Sequence, residues 1–161
     1  MRSLGRVAIV CAALVLAMTA CSSKSSSAGS GTLTPTATIF VQNFQYHNVP
    51  ATLPSGVVVL LFQNQESFPI DHEMIPIALP TGKTAQDVIN DAKAKQAASE
   101  DDWLHIGGDF GTAATGAGLI EILNLPPGNY AFACWQTGTQ NGGTNGPTHA
   151  SKGMVTAFTV S

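Results

Sequence analysis

Beyond residue 6 the chain has no arginine, and charged residues occupy only 11% of its 161 positions. With Arg2 and Arg6 set aside, five lysines stand against ten acidic residues, a formal charge of −5. That balance excludes a basic footprint for nucleic acid or for anionic lipid headgroups. Aromatic side chains interleaved with basic ones, the platforms on which bases stack, are missing too. No Ser-His-Asp order, phosphate-cradling glycine loop or well-placed carboxylate pair is present, so the chain does not read as an enzyme. Internal repeats and a second domain are also absent. Cysteine is scarcer still, with only Cys11, Cys21 and Cys134.

The first two cysteines belong to an N-terminal stretch unlike the rest. "MRSLGRVAIVCAALVLAMTAC" has a basic start, an apolar run from Val7 to Met18 and small residues before Cys21. That layout is a secretory signal over residues 1–20, too short and wrongly flanked for a stable membrane span. Its end, "MTAC", resembles the lipobox of bacterial lipoproteins, although Met18 is a less usual residue there. The resemblance implies a lipid on Cys21 and anchorage to the extracytoplasmic face of a membrane in the cell envelope. Residues 21–36 continue as "CSSKSSSAGSGTLTPT", too poor in apolar surface to fold. They read as a disordered tether with a reach of about 20 Å.

Cys134 is then left without a partner in a compartment where structural thiols come in pairs. The region around it, 37–161, is one domain's worth of chain and reads mostly as strands. "TATIFVQNFQY" (36–46) alternates, and "VVVLLFQN" (57–64) is a continuous apolar run of the kind buried on both faces. "HEMIPIAL" (72–79) carries Pro76, which suits an edge strand or a bulge. "GLIEILNL" (118–125) turns through "PPGN" into "YAFACW" (130–135), and "GMVTAFTV" (153–160) closes the chain. "TAQDVINDAKAKQAA" (84–98) breaks the pattern: Thr84 and Asp87 make a capping pair, and Ala85, Val88, Ile89 and Ala92 recur at helical spacing. With the glycine-rich loop 99–118 it forms an insertion at about 83–117. The expected fold is an all-β sandwich with one inserted helix.

One thiolate, two imidazoles and a weak thioether suit a copper ion that cycles between two oxidation states. Cys134, His149 and Met154 lie close together near the C-terminus. The second imidazole has three candidates, His47, His72 and His105. "FQNQESFPIDH" singles out His72, because it resembles the strand, Phe-x-Asn and Phe-Pro run before the first copper ligand of plastocyanin-like proteins. "PPGNYAFAC" resembles the Gly-x-Tyr-x-x-x-Cys strand of the same family, and "HASKGM" has its His-x4-Met spacing. Residues 37–161 thus resemble a cupredoxin, a Greek-key β-sandwich holding one mononuclear type 1 copper. The resemblance implies His72, Cys134, His149 and axial Met154 as ligands. It leaves His47 and His105 as ordinary structural histidines. A single cysteine excludes the dinuclear purple copper centre.

Two features depart from that pattern. Fourteen residues separate Cys134 from His149 where familiar blue copper proteins have a few. Lengthening a loop from about three residues to fourteen costs roughly 1.3 kcal/mol, small beside the ~10 kcal/mol scale of tight metal binding. Asp71 and Glu73 also flank His72. Two carboxylates beside a ligand are expected to favour the oxidised ion and to open the site to water.

The function the resemblance implies is one-electron transfer by a membrane-tethered copper protein, to or from a redox partner protein. Two other functions compete with it. One is copper capture and delivery, with a copper donor or acceptor as partner. The other is a metal-free binding module presenting Trp135 and the 136–148 loop.

Overall fold

The computed structural model describes residues 33–107, 111–139 and 145–161. The signal segment, Cys21 and most of the tether lie outside the described residues.

Among the described residues, eight strands form two four-stranded sheets. The first sheet runs β2 (Gln45–His47), β1 (Ala37–Gln42), β4 (Gly56–Asn64), β6 (Gly118–Leu125). The second runs β3 (Thr52–Leu53), β8 (Val155–Val160), β7 (Gly128–Ala133), β5 (Ile75–Ala78). β1 pairs with β4, and β3 with β8, in parallel, while the other pairings are antiparallel. This is the expected sandwich, with a short third strand that the turn-rich "VPATLPSG" concealed. The stretch 36–46 is a hairpin and not one strand. It reverses at Asn43 and Phe44, both left-handed at φ 53° and 58°, the backbone of a two-residue type I′ turn.

The core between the sheets is built by alternation. Ile39 and Val41 of β1, Val58, Leu60 and Phe62 of β4, and Leu123 and Leu125 of β6 point inward. Tyr130 and Phe132 of β7 and Phe158 of β8 meet them from the other sheet. β4 departs from the expected burial on both faces, because its outer side is covered only in part and Val57 is 71% exposed. β7 is covered on both faces. Tyr130, Phe132 and Cys134 face the inter-sheet core, while Ala131, Ala133 and Trp135 face a second cluster outside the sheet.

That second cluster is roofed by α1 (Ala85–Lys95), whose Val88 and Ala92 are fully buried against Ile75, Ile77 and the two alanines of β7. The small methyl groups of Ala131 and Ala133 leave room for the helix, and burying a valine contributes about 1.5–3 kcal/mol. Thr84 and Asp87 close the expected capping box, and Lys95 pairs with Asp91 at 2.9 Å. The chain does not go straight to loop after the helix; a 3-10 stretch runs over Gln96–Asp102. β5, with Pro76, lies at the sheet edge, as proline there requires.

Buried polar groups in such a core are normally hydrogen-bonded. Glu121, on β6 opposite Leu60, is an exception: it is 2% exposed, and no donor among the described residues reaches either carboxyl oxygen. Desolvation pushes its pKa up to about 8.

Candidate metal centre

At the end of β4 the buried Asn64 organises the turn that delivers His72. Its amide nitrogen donates to the carbonyls of Ile70 (2.7 Å) and Ala113 (2.9 Å), and its oxygen accepts the Glu66 N–H (3.1 Å). His72 is pinned from the other side by a two-way backbone bridge with Ala113, at 3.1 and 2.8 Å. Thr115 Oγ1 accepts the Ile70 N–H and donates to the Phe68 carbonyl. The segment 111–117 therefore braces the first histidine, whereas 84–102 roofs the sheet.

Cys134 follows β7 with its side chain inward. His149 precedes a 3-10 turn, Ala150–Lys152, that stops at Gly153 with φ 103°. Glycine suits that left-handed position, and the turn brings the Met154 N–H back to the His149 carbonyl at 3.0 Å. The Met154 carbonyl in turn accepts the Cys134 N–H at 3.3 Å, and the Cys134 carbonyl accepts the Ala150 N–H at 2.6 Å. The His-x4-Met spacing is thus the length of one tight turn locked to the cysteine strand.

The structure brings three donors together. Cys134 Sγ lies 3.4 Å from His149 Nδ1 and 3.7 Å from His72 Nδ1, and all three atoms fall within 4.8 Å of one another. One ion bonded at about 2.0–2.1 Å to nitrogen and about 2.3 Å to sulfur sets S···N separations of about 3.6 Å. The cluster fits a single metal. All three residues and Met154 are buried. The donor set of thiol, two imidazoles and neighbouring thioether is that of a mononuclear type 1 copper site. His47 and His105 stand apart: His47 contacts the Gln42 carbonyl and stacks on Phe40, and His105 stacks on Trp135.

Burial governs the electrostatics. It drives the Cys134 thiol pKa well upward, with the Glu73 charge adding, while the N–H groups of Glu73 and Gln136 aim at the sulfur and oppose the rise. His72 is lowered to about 4 by burial. His149 is lowered to about 3 by burial first, then by His72 and Lys152. Both imidazoles are therefore neutral at pH 7, the form that binds a metal.

Two expectations about the surroundings are overturned. Glu73 does not open the site to water. It is buried, and its carboxylate accepts the Trp135 N–H (2.6 Å) and Gln136 Nε2 (2.7 Å), fastening the chain just after Cys134. Asp71 alone is exposed. Trp135 does not offer a contact surface either. It is 3% exposed, and its indole N–H donates to Ser99 Oγ at 2.9 Å.

The fourteen-residue separation also takes a different form in three dimensions. Thr137 and Thr148 pair as an isolated antiparallel bridge, and the His149 N–H donates to the Gln136 carbonyl at 2.9 Å. The two ends of the span are thus held together at Gln136–Thr137 and Thr148–His149, and the described segments shaping the site are short. Gln96, the left-handed cap of α1, accepts the Thr148 N–H at 3.1 Å through Oε1, so the insertion helps place His149.

Sequence reasoning missed Glu66 and Phe44. Glu66 Oε1 lies 3.2 Å from His72 Nε2, and the Phe44 ring stands edge-on to His72 and His149 at 5.5 and 4.9 Å between centroids. A glutamate in "FQNQES" carries no local sign of burial.

This is a cupredoxin-like fold with a clustered His, Cys, His donor set. No family model and no curated protein matches the chain. Among solved structures it is similar to dithionite-reduced auracyanin from the photosynthetic bacterium Roseiflexus castenholzii, with 19% identity, 77% of this chain and 94% of that one covered, and a TM-score of 0.51. Auracyanin B also matches, with 19% identity, 81% and 92% covered and a TM-score of 0.47. So does azurin Az-iso2 from Methylomonas sp. strain J, with 12% identity, 77% and 95% covered and a TM-score of 0.45.

Proposed function

We propose that this chain is a copper-binding electron carrier, not an enzyme, with His72, Cys134, His149 and Met154 as ligands of one copper. The observation that carries the reading is the convergence of Cys134 Sγ on the Nδ1 atoms of both histidines. When bound, copper supplies a one-electron couple. The chain's part is to present a thiolate and two neutral imidazoles in a fixed, dry cavity, so that little needs to rearrange when charge changes. The similar auracyanin was crystallised in a reduced form, which agrees with a redox role. Full burial of the ligands favours electron transfer over copper capture and delivery, because exchange of the ion requires the site to open.

Adding one equivalent of copper to the purified protein is expected to produce an intense visible band and to raise the unfolding temperature. A ligand present at 1,000 times its dissociation constant stabilises by about 4 kcal/mol. Cys134→Ser abolishes the band. A parent protein whose unfolding is indifferent to copper would refute the reading.

The N-terminal domains are part of the same proposal: residues 1–20 as a signal, Cys21 as the lipidated anchor, 21–36 as tether, and 37–161 held at the extracytoplasmic face for a redox partner protein. Cys21→Ala is expected to release the protein from membranes, and a variant that stays bound would sink the anchor.

A further inference from the structure

We propose that Glu66 is a positioning residue of the metal centre: its one buried carboxylate orients His72 for binding, holds Phe44 over both imidazoles and biases the centre toward oxidised copper. The proposal rests on the copper reading above.

The Glu66 carboxylate makes three contacts. Its oxygens accept the N–H groups of Asn43 (2.9 Å) and Phe44 (2.8 Å), and Oε1 faces His72 Nε2 at 3.2 Å. Its side chain and that of His72 are fully buried. Oε1 already accepts the Phe44 N–H, so its place opposite Nε2 suits a His72 that carries its proton there and donates it. That leaves the Nδ1 lone pair directed at Cys134 Sγ, as a metal ligand requires.

The other two contacts explain a strained turn. A phenylalanine at φ 58° is an outlier for a bulky residue. Such strain persists where surroundings over-determine it, and here the carboxylate binds both amides of the turn. The result is a half-buried ring edge-on to His72 and His149. His149 Nε2 is buried without a hydrogen-bond partner among the described residues. With water excluded, a fixed negative charge one imidazole away stabilises the dipositive ion more than the monopositive one.

Three variants test this: Glu66→Gln removes the charge, Glu66→Asp keeps it, and Phe44→Ala removes the ring alone. In the copper-free parent, 15N shifts should place the His72 proton on Nε2, a result that needs neither copper nor a variant. Copper-loaded Glu66→Gln should favour the reduced ion at least tenfold more than the parent does, which for one electron is about 59 mV upward. Glu66→Asp, which keeps the charge, should show little of that shift, and Phe44→Ala should leave the His72 tautomer unchanged. A parent His72 protonated on Nδ1, or a Glu66→Gln preference within threefold of the parent's, overturns the proposal. A parent that binds no copper removes the copper reading and the valence bias together, while the tautomer still tests the positioning.

Discussion

Replacing Glu121 by leucine should stabilise this protein, and the gain should grow with pH. Glu121 faces the core from β6 with both oxygens unpartnered among the described residues, and burial holds its pKa at about 8 against 4.5 for the free side chain. The folded state therefore keeps a proton that the unfolded state has already lost between those values. Stability that depends on Glu121 falls as pH rises through this window, by up to about 1.4 kcal/mol per unit. Integrated, the penalty is about 3 kcal/mol at pH 7, and it grows by about 1.5 kcal/mol in all between pH 6.5 and 8. Leucine is similar in volume and brings no polar atom, so Glu121→Leu should recover most of this and flatten the profile. Urea unfolding of the copper-free protein at pH 6.5, 7.25 and 8 measures it, and the contribution of His72 and His149 near pH 6.5 is common to parent and variant and cancels in their difference. Equal slopes for parent and variant would show that Glu121 is ionised and partnered in the folded state.

Other outcomes follow from the site. Asn64→Ala should cost about 2–4 kcal/mol, since two carbonyls and the Glu66 N–H lose their partner; denaturant midpoints report it. The copper-free protein should weaken below pH 6.5 and continue to do so toward pH 4 and 3, because the unfolded chain protonates His72 and His149 first; acid titration followed by circular dichroism would show this. Copper affinity should fall over the same range. Met154→Leu should retain copper but move the reduction potential, read by voltammetry, because the thioether tunes more than it holds.

The four candidate positions, His72, Cys134, His149 and Met154, were legible because the resemblance demands all of them in order, and each sits in a local pattern: Asn64 before the His72 turn, the alternation of "YAFAC", Gly153 before Met154. The inserted helix was equally plain from its capping box. What stayed hidden depends on distant partners. The apolar run of β4 gives no sign that its outer face is left open, whereas "YAFAC" is covered twice because α1 returns to it. Glu66, Glu73 and Glu121 are charged residues that a sequence assigns to solvent, and only the folded turn, strand end and sheet bury them. The hairpin reversal at Asn43 and Phe44 lacks glycine and depends on a carboxylate more than twenty residues away.

The bridge between Thr137 and Thr148 separates two properties that usually travel together, the length of the ligand loop and the spacing of the ligands. In an engineering sense, the Thr137–Thr148 bridge is a fixed base beside His149: a peptide tag or binding epitope inserted between the two threonines begins and ends on it. Such an insertion should leave the visible spectrum of the copper-loaded protein unchanged, whereas one residue added between Cys134 and Thr137 should alter it.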